Sequence, residues 1–339
     1  MDPAGLLGLA ARQLIMRGTQ AAGLMAPSMH AALGALSHTA AAIARPAGVR
    51  GLAMETGVVV AHLMMYPWGA LTDQLGPGGP YDCYRTDDLA PAERGLVNPD
   101  VLPAATPILL VHGFADNRTA FTVLGQALRK RGFGVVHCVN YSVLTALTGD
   151  VRSAAGELAQ QVELICAATG APQVHVVGHS LGGLVARYYV QRLDGDARVH
   201  TLVTLGTPHH GTMTACLLPT PVLHQLRPES DIMVELAAPS PGCATRFVAL
   251  WSELDGWIVP QHNARLDHPD LLATNYQLRD VGHLSLAVDP RAVDTVVTAL
   301  TQVQESRPAG VVHNTPAPEN VTIETVTPNA IGSAPSASA

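Results

Sequence analysis

Lysine is nearly missing from this chain. Lys130 is the only one in 339 residues, so almost all positive charge is arginine. Charged residues of both signs make up 14% of the sequence and the formal net charge is −7. The nearest approach to a basic run is Arg129-Lys130-Arg131. A general nucleic-acid binder needs a basic stripe to meet the phosphates, and this composition excludes that class. Cysteine is scarce too: Cys83, Cys138, Cys166, Cys216 and Cys243 are the five, and no CxxC pair occurs among them. That spacing argues against a zinc site or a dithiol redox centre, and no cofactor or catalytic metal is expected. Cys138 falls in an expected strand and Cys166 on the apolar face of an expected helix, where both read as buried thiols. Cys216 and Cys243 flank an insertion and could pair in an oxidising compartment.

The first residues carry no basic cluster, Asp2 being the first charge, so a cleavable signal peptide is not evident. Gly18 to Ala44 has no formal charge, but its Ala, Gly, Ser, Thr and His content is too weakly apolar for a membrane span. Thr56 to Thr72 is more apolar, yet Pro67 and Gly69 interrupt it. Localisation is left open between cytoplasm, peripheral membrane association and export.

What the chain does have is 47% hydrophobic residues, ample for a large core. Three regions separate by composition. Residues 1–80 are Ala-, Gly- and Met-rich and helical in character. The loop-like stretch "LTDQLGPGGPYDCYRTDD" marks the boundary to residues 81–305. Residues 306–339 are rich in Pro, Ala, Ser and Thr and read as a disordered tail.

The middle region alternates short apolar runs with helical ones. "TPILLVHG", "FGVVHCVNY", "VHVVGHS", "VHTLVTLGTP", "RFVALWSELD" and "NYQLRDVGH" read as strands. Between them, "NRTAFTVLGQALRKRG", "VRSAAGELAQQVELICAATG" and "LGGLVARYYVQRL" read as helices, and Pro290 to Val303 as a closing helix. Continuous apolar strands alternating with helices imply a mostly parallel sheet covered on both faces. Reactive groups of such sheets gather at the carboxyl ends of the strands.

Gly178-His179-Ser180-Leu181-Gly182 matches G-x-S-x-G between an expected strand and an expected helix. A sharp turn there would lift Ser180 clear of the backbone, beside the positive end of the helix dipole, while the glycines remove clashing side chains. An ordinary serine cap with packing glycines would look similar in isolation. A serine nucleophile also needs a base and an orienting carboxylate, in the chain order Ser, acid, His. Asp255 follows one later strand and His283 the next. Glu253 is a rival acid, but strand alternation and the D-x-x-V-P context favour Asp255. His209 and His210 precede Asp255 and so fail the order rule; His209 is expected to brace its turn. His112 and His179 flank glycines and read as structural. Two backbone N–H groups, of Phe114 in "VHGF" and of Leu181 after the serine, would form the oxyanion hole.

The set "VHGF", "GHSLGG", "GTPHHG", "LDGWIVP" and "VGHLSL" resembles the bacterial lipases and esterases of the α/β-hydrolase superfamily, over about residues 104–303. The resemblance implies an α/β-hydrolase fold with Ser180 as nucleophile, Asp255 as acid and His283 as base. It implies Phe114 and Leu181 as oxyanion donors, and a lipid or ester as substrate. Residues 1–80 lie outside it and form an N-terminal helical extension. That extension could lie on a lipid surface, cover the pocket or pack as extra core. The insertion at about 208–243 is apolar; Met213, Leu217, Leu218 and Leu223 could wall an acyl site or simply pack on the sheet. The same triad would also serve an acyltransferase, and a non-catalytic binding module is the third reading. Epoxide hydrolase and dehalogenase chemistry is disfavoured, since those relatives carry aspartate where Ser180 stands.

Overall fold

The computed structural model describes residues 45–75, 106–114, 116–133, 136–139, 149–217, 219–301 and 321–326. Seven strands form one sheet: β1 Ile108–Val111, β2 Val136–Val139, β3 Val174–His179, β4 Val199–Leu205, β5 Arg246–Ser252, β6 Leu272–Leu278 and β7 Val321–Val326. Their order is β2-β1-β3-β4-β5-β6-β7. The first six are parallel, and β7 pairs antiparallel with β6. The helices are α1 Pro46–Leu75, α2 Thr122–Lys130, α3 Val151–Thr169, α4 Leu181–Arg192, α5 Pro221–Gln225, α6 Asp231–Ala237 and α7 Pro290–Thr301.

The expected two-faced sheet follows from the strand sequences. Leu109 and Val111 of β1 face a core built with α3 and α4, including Leu158, Val162, Leu184 and Val185. Ile108 and Leu110 face the opposite core, with Leu124, Leu128, Val293 and Val296 of α2 and α7. A strand buried on both faces has no room for alternation of polarity, hence the unbroken apolar runs. Local signals set the ends of α3: the Asp150 side chain accepts from the Arg152 N–H, and Gly170 closes the helix at φ 73°.

Four expectations change. The tail is not wholly without structure, because Val321–Val326 adds an edge strand; its β-branched residues suit a pleated surface better than they suit a coil. The helix α1 runs unbroken to Leu75, through Pro67, Gly69 and the first residues of the expected boundary loop. A proline forfeits one helical hydrogen bond, which a 30-residue helix can absorb. Cys216 and Cys243 are free thiols: Cys216 is exposed, whereas Cys243 is half-buried and packs against the main core. Finally, the apolar side chains of the 208–243 insertion are largely core, with Val222, Leu226, Ile232, Met233 and Leu236 buried. Cys83, Leu218 and residues 302–320 and 327–339 lie outside the described residues. Among the described residues, no helix is long and apolar enough to cross a membrane.

Candidate active site

Parallel strands deliver the candidate residues to one edge. Ser180 follows β3, Gly206 follows β4, Asp255 lies beyond β5 and His283 beyond β6. Ser180 has φ 54° and ψ −122°, the left-handed region that only glycine enters freely. Its N–H donates to the Leu205 carbonyl at 2.8 Å, and its carbonyl accepts from the Thr207 hydroxyl at 3.0 Å. Three glycines make this turn possible. A Cβ on Gly182 would stand 2.2 Å from the Val111 carbonyl oxygen, one on Gly178 would meet Gly183, and one on Gly113 would touch Ser180 Cβ at 3.0 Å. The glycines of "GHSLGG" are therefore imposed by close packing: Gly182 against β1 and its loop, Gly178 against the start of α4, and Gly183 against Thr207.

His283 Nδ1 donates to Asp255 Oδ2 at 2.7 Å, and both side chains are buried. The other Asp255 oxygen accepts from the N–H groups of Trp257 and Ile258, at 2.9 and 3.0 Å. Those bonds fix the carboxylate and leave Oδ2 aimed at the imidazole. Glu253 instead accepts from Gln277 at 2.8 Å and pairs with Arg45 at 3.3 Å. Burial alone would push the His283 pKa down. The Asp255 carboxylate, with Glu55 and Asp116 further off, more than reverses this and holds it above the usual histidine value. The Trp257 ring lies over His283 with centroids 5.9 Å apart, yet it is 58% exposed.

The flanking histidines have defined jobs. His179 Nε2 donates to the His283 carbonyl at 3.0 Å, and burial with the neighbouring His283 pushes its pKa down to about 4. It is a neutral strut under His283. His209 braces the turn after β4, as expected: its Nε2 bonds the Thr204 hydroxyl at 2.9 Å. The buried Arg187 guanidinium donates to the His209 carbonyl at 3.0 Å and to the Leu236 carbonyl at 3.0 Å. This ties α4 to the "GTPHHG" loop and to α6.

Phe114 is half-buried on the loop after β1 and packs against the main core, while Leu181 is the first residue of α4. The N–H groups at the start of a helix have no partner within it, so that of Leu181 is available to an oxygen at the turn. A small apolar cleft adjoins this point, lined by His112, Gly113, Val151, Ala154, Val185 and Val222 among others. Of the anticipated wall residues, Met213, Leu217 and Leu223 do not line it. Met213 sits beside the Trp257 loop through its N–H to the Val259 carbonyl, Leu217 is exposed, and Leu223 packs on the core. Among the described residues, no cluster of His, Cys, Asp and Glu could hold a metal.

Sequence reasoning missed Trp257 and every contact from α1, while Val222, one of the apolar residues of the insertion considered for an acyl wall, does line the cleft. The α1 contacts were invisible because Glu55 and His62 stand far upstream of the motifs and match no spacing rule.

A parallel sheet wound on both faces, with a serine on a strained strand-to-helix turn and a buried Asp–His pair at later strand ends, is the architecture of the α/β-hydrolase fold. The comparisons with known proteins fall in that class. Residues 107–239 match the model of the palmitoyl protein thioesterase family. A triacylglycerol lipase of Pseudarthrobacter phenanthrenivorans is 32% identical over 112 residues, which are 31% of this chain and 34% of the lipase. A palmitoyl-protein thioesterase–dolichyl pyrophosphate phosphatase fusion of Schizosaccharomyces pombe is 30% identical over 116 residues, 32% of this chain and 18% of the fusion. The chain thus spans about a third or less of these curated relatives. Among solved structures, the mature Bacillus licheniformis lipase BlEst2 is similar at TM-score 0.51 and 20% identity, over 60% of this chain and 95% of that one. Aspergillus fumigatus lipase B reaches TM-score 0.51 at 18% identity, over 68% and 62%. The fold is that of the α/β hydrolases.

Proposed function

We propose that the chain is a serine hydrolase of hydrophobic acyl esters. The observation that carries this is the buried 2.7 Å bond between His283 and Asp255 at the strand ends beside the strained Ser180 turn. His283 Nε2 takes the Ser180 proton as the hydroxyl attacks the acyl carbonyl. The oxyanion is met by the N–H groups of Phe114 and Leu181. The tetrahedral intermediate collapses to an acyl-enzyme, His283 returns the proton to the leaving alcohol, and water repeats the sequence.

The apolar lining by Val151, Ala154, Val185 and Val222 supports an acyl chain bound beside Leu181. The match to the palmitoyl protein thioesterase model favours a second substrate class, long-chain acyl thioesters, for which the same steps expel a thiolate. The exposed Leu52, Val60, Leu63 and Met64 of α1 support a peripheral contact with lipid.

The test is hydrolysis of p-nitrophenyl esters from acetate to palmitate, and of palmitoyl-CoA, by wild type and Ser180→Ala. Wild-type turnover that vanishes in the variant is the expected result. Equal inactivity of both on every substrate would refute the proposal.

A further inference from the structure

The helix α1 lies outside the stretch matched by the family model, yet it is built onto the catalytic edge. Just before its first turn, Arg45 pairs with Glu253 at 3.3 Å, beyond β5. A Cβ on Gly51 would stand 2.2 Å from the Asp280 carbonyl oxygen, so α1 packs there backbone to backbone, beyond β6. One turn on, Glu55 reaches the segment that carries His283. Two turns further, His62 Nε2 meets Asp116 at 3.0 Å, on the loop after β1 that bears Phe114. Gly51, Glu55 and His62 are spaced four and seven residues apart, one face of a helix.

The Glu55 contact is the most specific of these. Oε1 accepts the Leu284 N–H at 2.9 Å. Oε2 accepts the Ser285 N–H at 2.9 Å and the Ser285 hydroxyl at 2.6 Å. On the other side of His283, a Cβ on Gly282 would lie 2.3 Å from both Cδ and Oε2 of Glu55. The bare Cα of Gly282 is thus the slot that admits the carboxylate. The residue held between slot and donors is His283.

We infer that Glu55 is a positioning residue for His283, and that docking of α1 completes the active site by fixing the turn on which the base stands. The inference rests on the serine-hydrolase reading above. An ordinary structural cap would add stability and leave the base's titration alone. A carboxylate this near the imidazolium does more, because its charge favours the protonated base. The other charged or titratable groups facing His283 are Asp255 beyond β5, Asp116 beyond β1 and His179 at the end of β3.

The test compares wild type, Glu55→Ala, Glu55→Gln and Val49→Ala, the last an exposed position on the same helix. For each, kcat and KM on p-nitrophenyl butyrate, the acid limb of kcat/KM against pH, and thermal unfolding are measured. For Glu55→Ala the expected result is a fall in kcat of about 10–100-fold with KM nearly unchanged. The acid limb should move to lower pH, and Val49→Ala should match wild type. Should Glu55→Ala fail to fold, the isosteric Glu55→Gln decides by the same readouts. Wild-type kcat and an unmoved acid limb in a folded Glu55 variant would overturn the inference alone. Labelling of Ser180 by a fluorophosphonate probe is run in parallel. A wild-type protein that neither hydrolyses nor labels would overturn the serine-hydrolase reading and the inference together.

Discussion

Gly206 lies so close to Asp255 that a methyl group on it would stand 2.9 Å from the carboxylate Oδ2, and the same methyl would be 3.0 Å from His283 Nδ1. The residue also has φ +55°. Gly206→Ala should therefore wedge the Asp–His pair apart and add about 1–2 kcal/mol of left-handed strain. The expected kcat is about 10–100-fold below wild type. Steady-state kinetics on a soluble ester decides, and an unchanged kcat would mean the pair has slack to move.

Ser180 bears a comparable strain itself. Its φ of 54° is one of four positive values among the described non-glycine residues. Ser180→Gly should relieve strain on the order of 1 kcal/mol and raise the melting temperature while abolishing hydrolysis. A calorimetric scan of variant against wild type would show it; a lower melting temperature would contradict this account of the turn.

The two acidic candidates near the end of β5 should separate sharply. Asp255→Asn presents an amide where His283 Nδ1 needs an acceptor, and kcat should fall by roughly 10⁴-fold. Glu253→Gln disturbs only contacts to Gln277 and Arg45, and should stay within about threefold, as surface pairs contribute little. Equal losses in both would refute the assignment of Asp255.

The raised pKa of His283 fixes the direction of two pH effects. Burial opposes the charge, but Asp255, Glu55 and Asp116 favour it. Catalysis needs the neutral ring, so the acid limb of kcat/KM should have its midpoint above the ordinary histidine value of about 6.5. Stability runs the other way. A group whose folded pKa is raised stabilises fully below its unfolded pKa, and that contribution fades as pH rises through the folded value. Unfolding free energies of wild type and His283→Ala, measured from pH 5 to 9, should therefore converge toward alkaline pH. A midpoint below 6 would show that burial outweighs the carboxylates.

The sheet was readable because β1 to β5 are short, mostly apolar runs closed by turn signals; β6, with Thr274, Asn275 and Gln277, is mixed, yet each candidate for the triad still falls just past a strand. Ser180, Asp255 and His283 could be proposed as a triad from the G-x-S-x-G motif, strand-end placement and chain order, since a parallel sheet sends every strand end to one edge. The 208–243 insertion was ambiguous for a physical reason: an apolar residue such as Val222 or Leu226 looks the same in sequence whether it meets substrate or core. Glu55 and Gly282 were beyond sequence reasoning. Their fit is a tertiary contact across more than two hundred residues, and a glutamate inside an Ala- and Met-rich helix reads as a solvated side chain.

The helix α1 supplies no strand to the sheet and no side chain to the three apolar clusters of the described core. Its seat consists of polar ties and close backbone packing to the segments after β1, β5 and β6, with Val58, Ala61 and Met65 lining a cavity beside Ala120, Val123 and Ala287. Such a segment forms its own cooperative unit, able to open at a free energy below that of global unfolding. On gentle warming, competence for turnover and integrity of the sheet would then be lost in two separate stages. The first would reverse on cooling, because the scaffold that receives the helix is still intact.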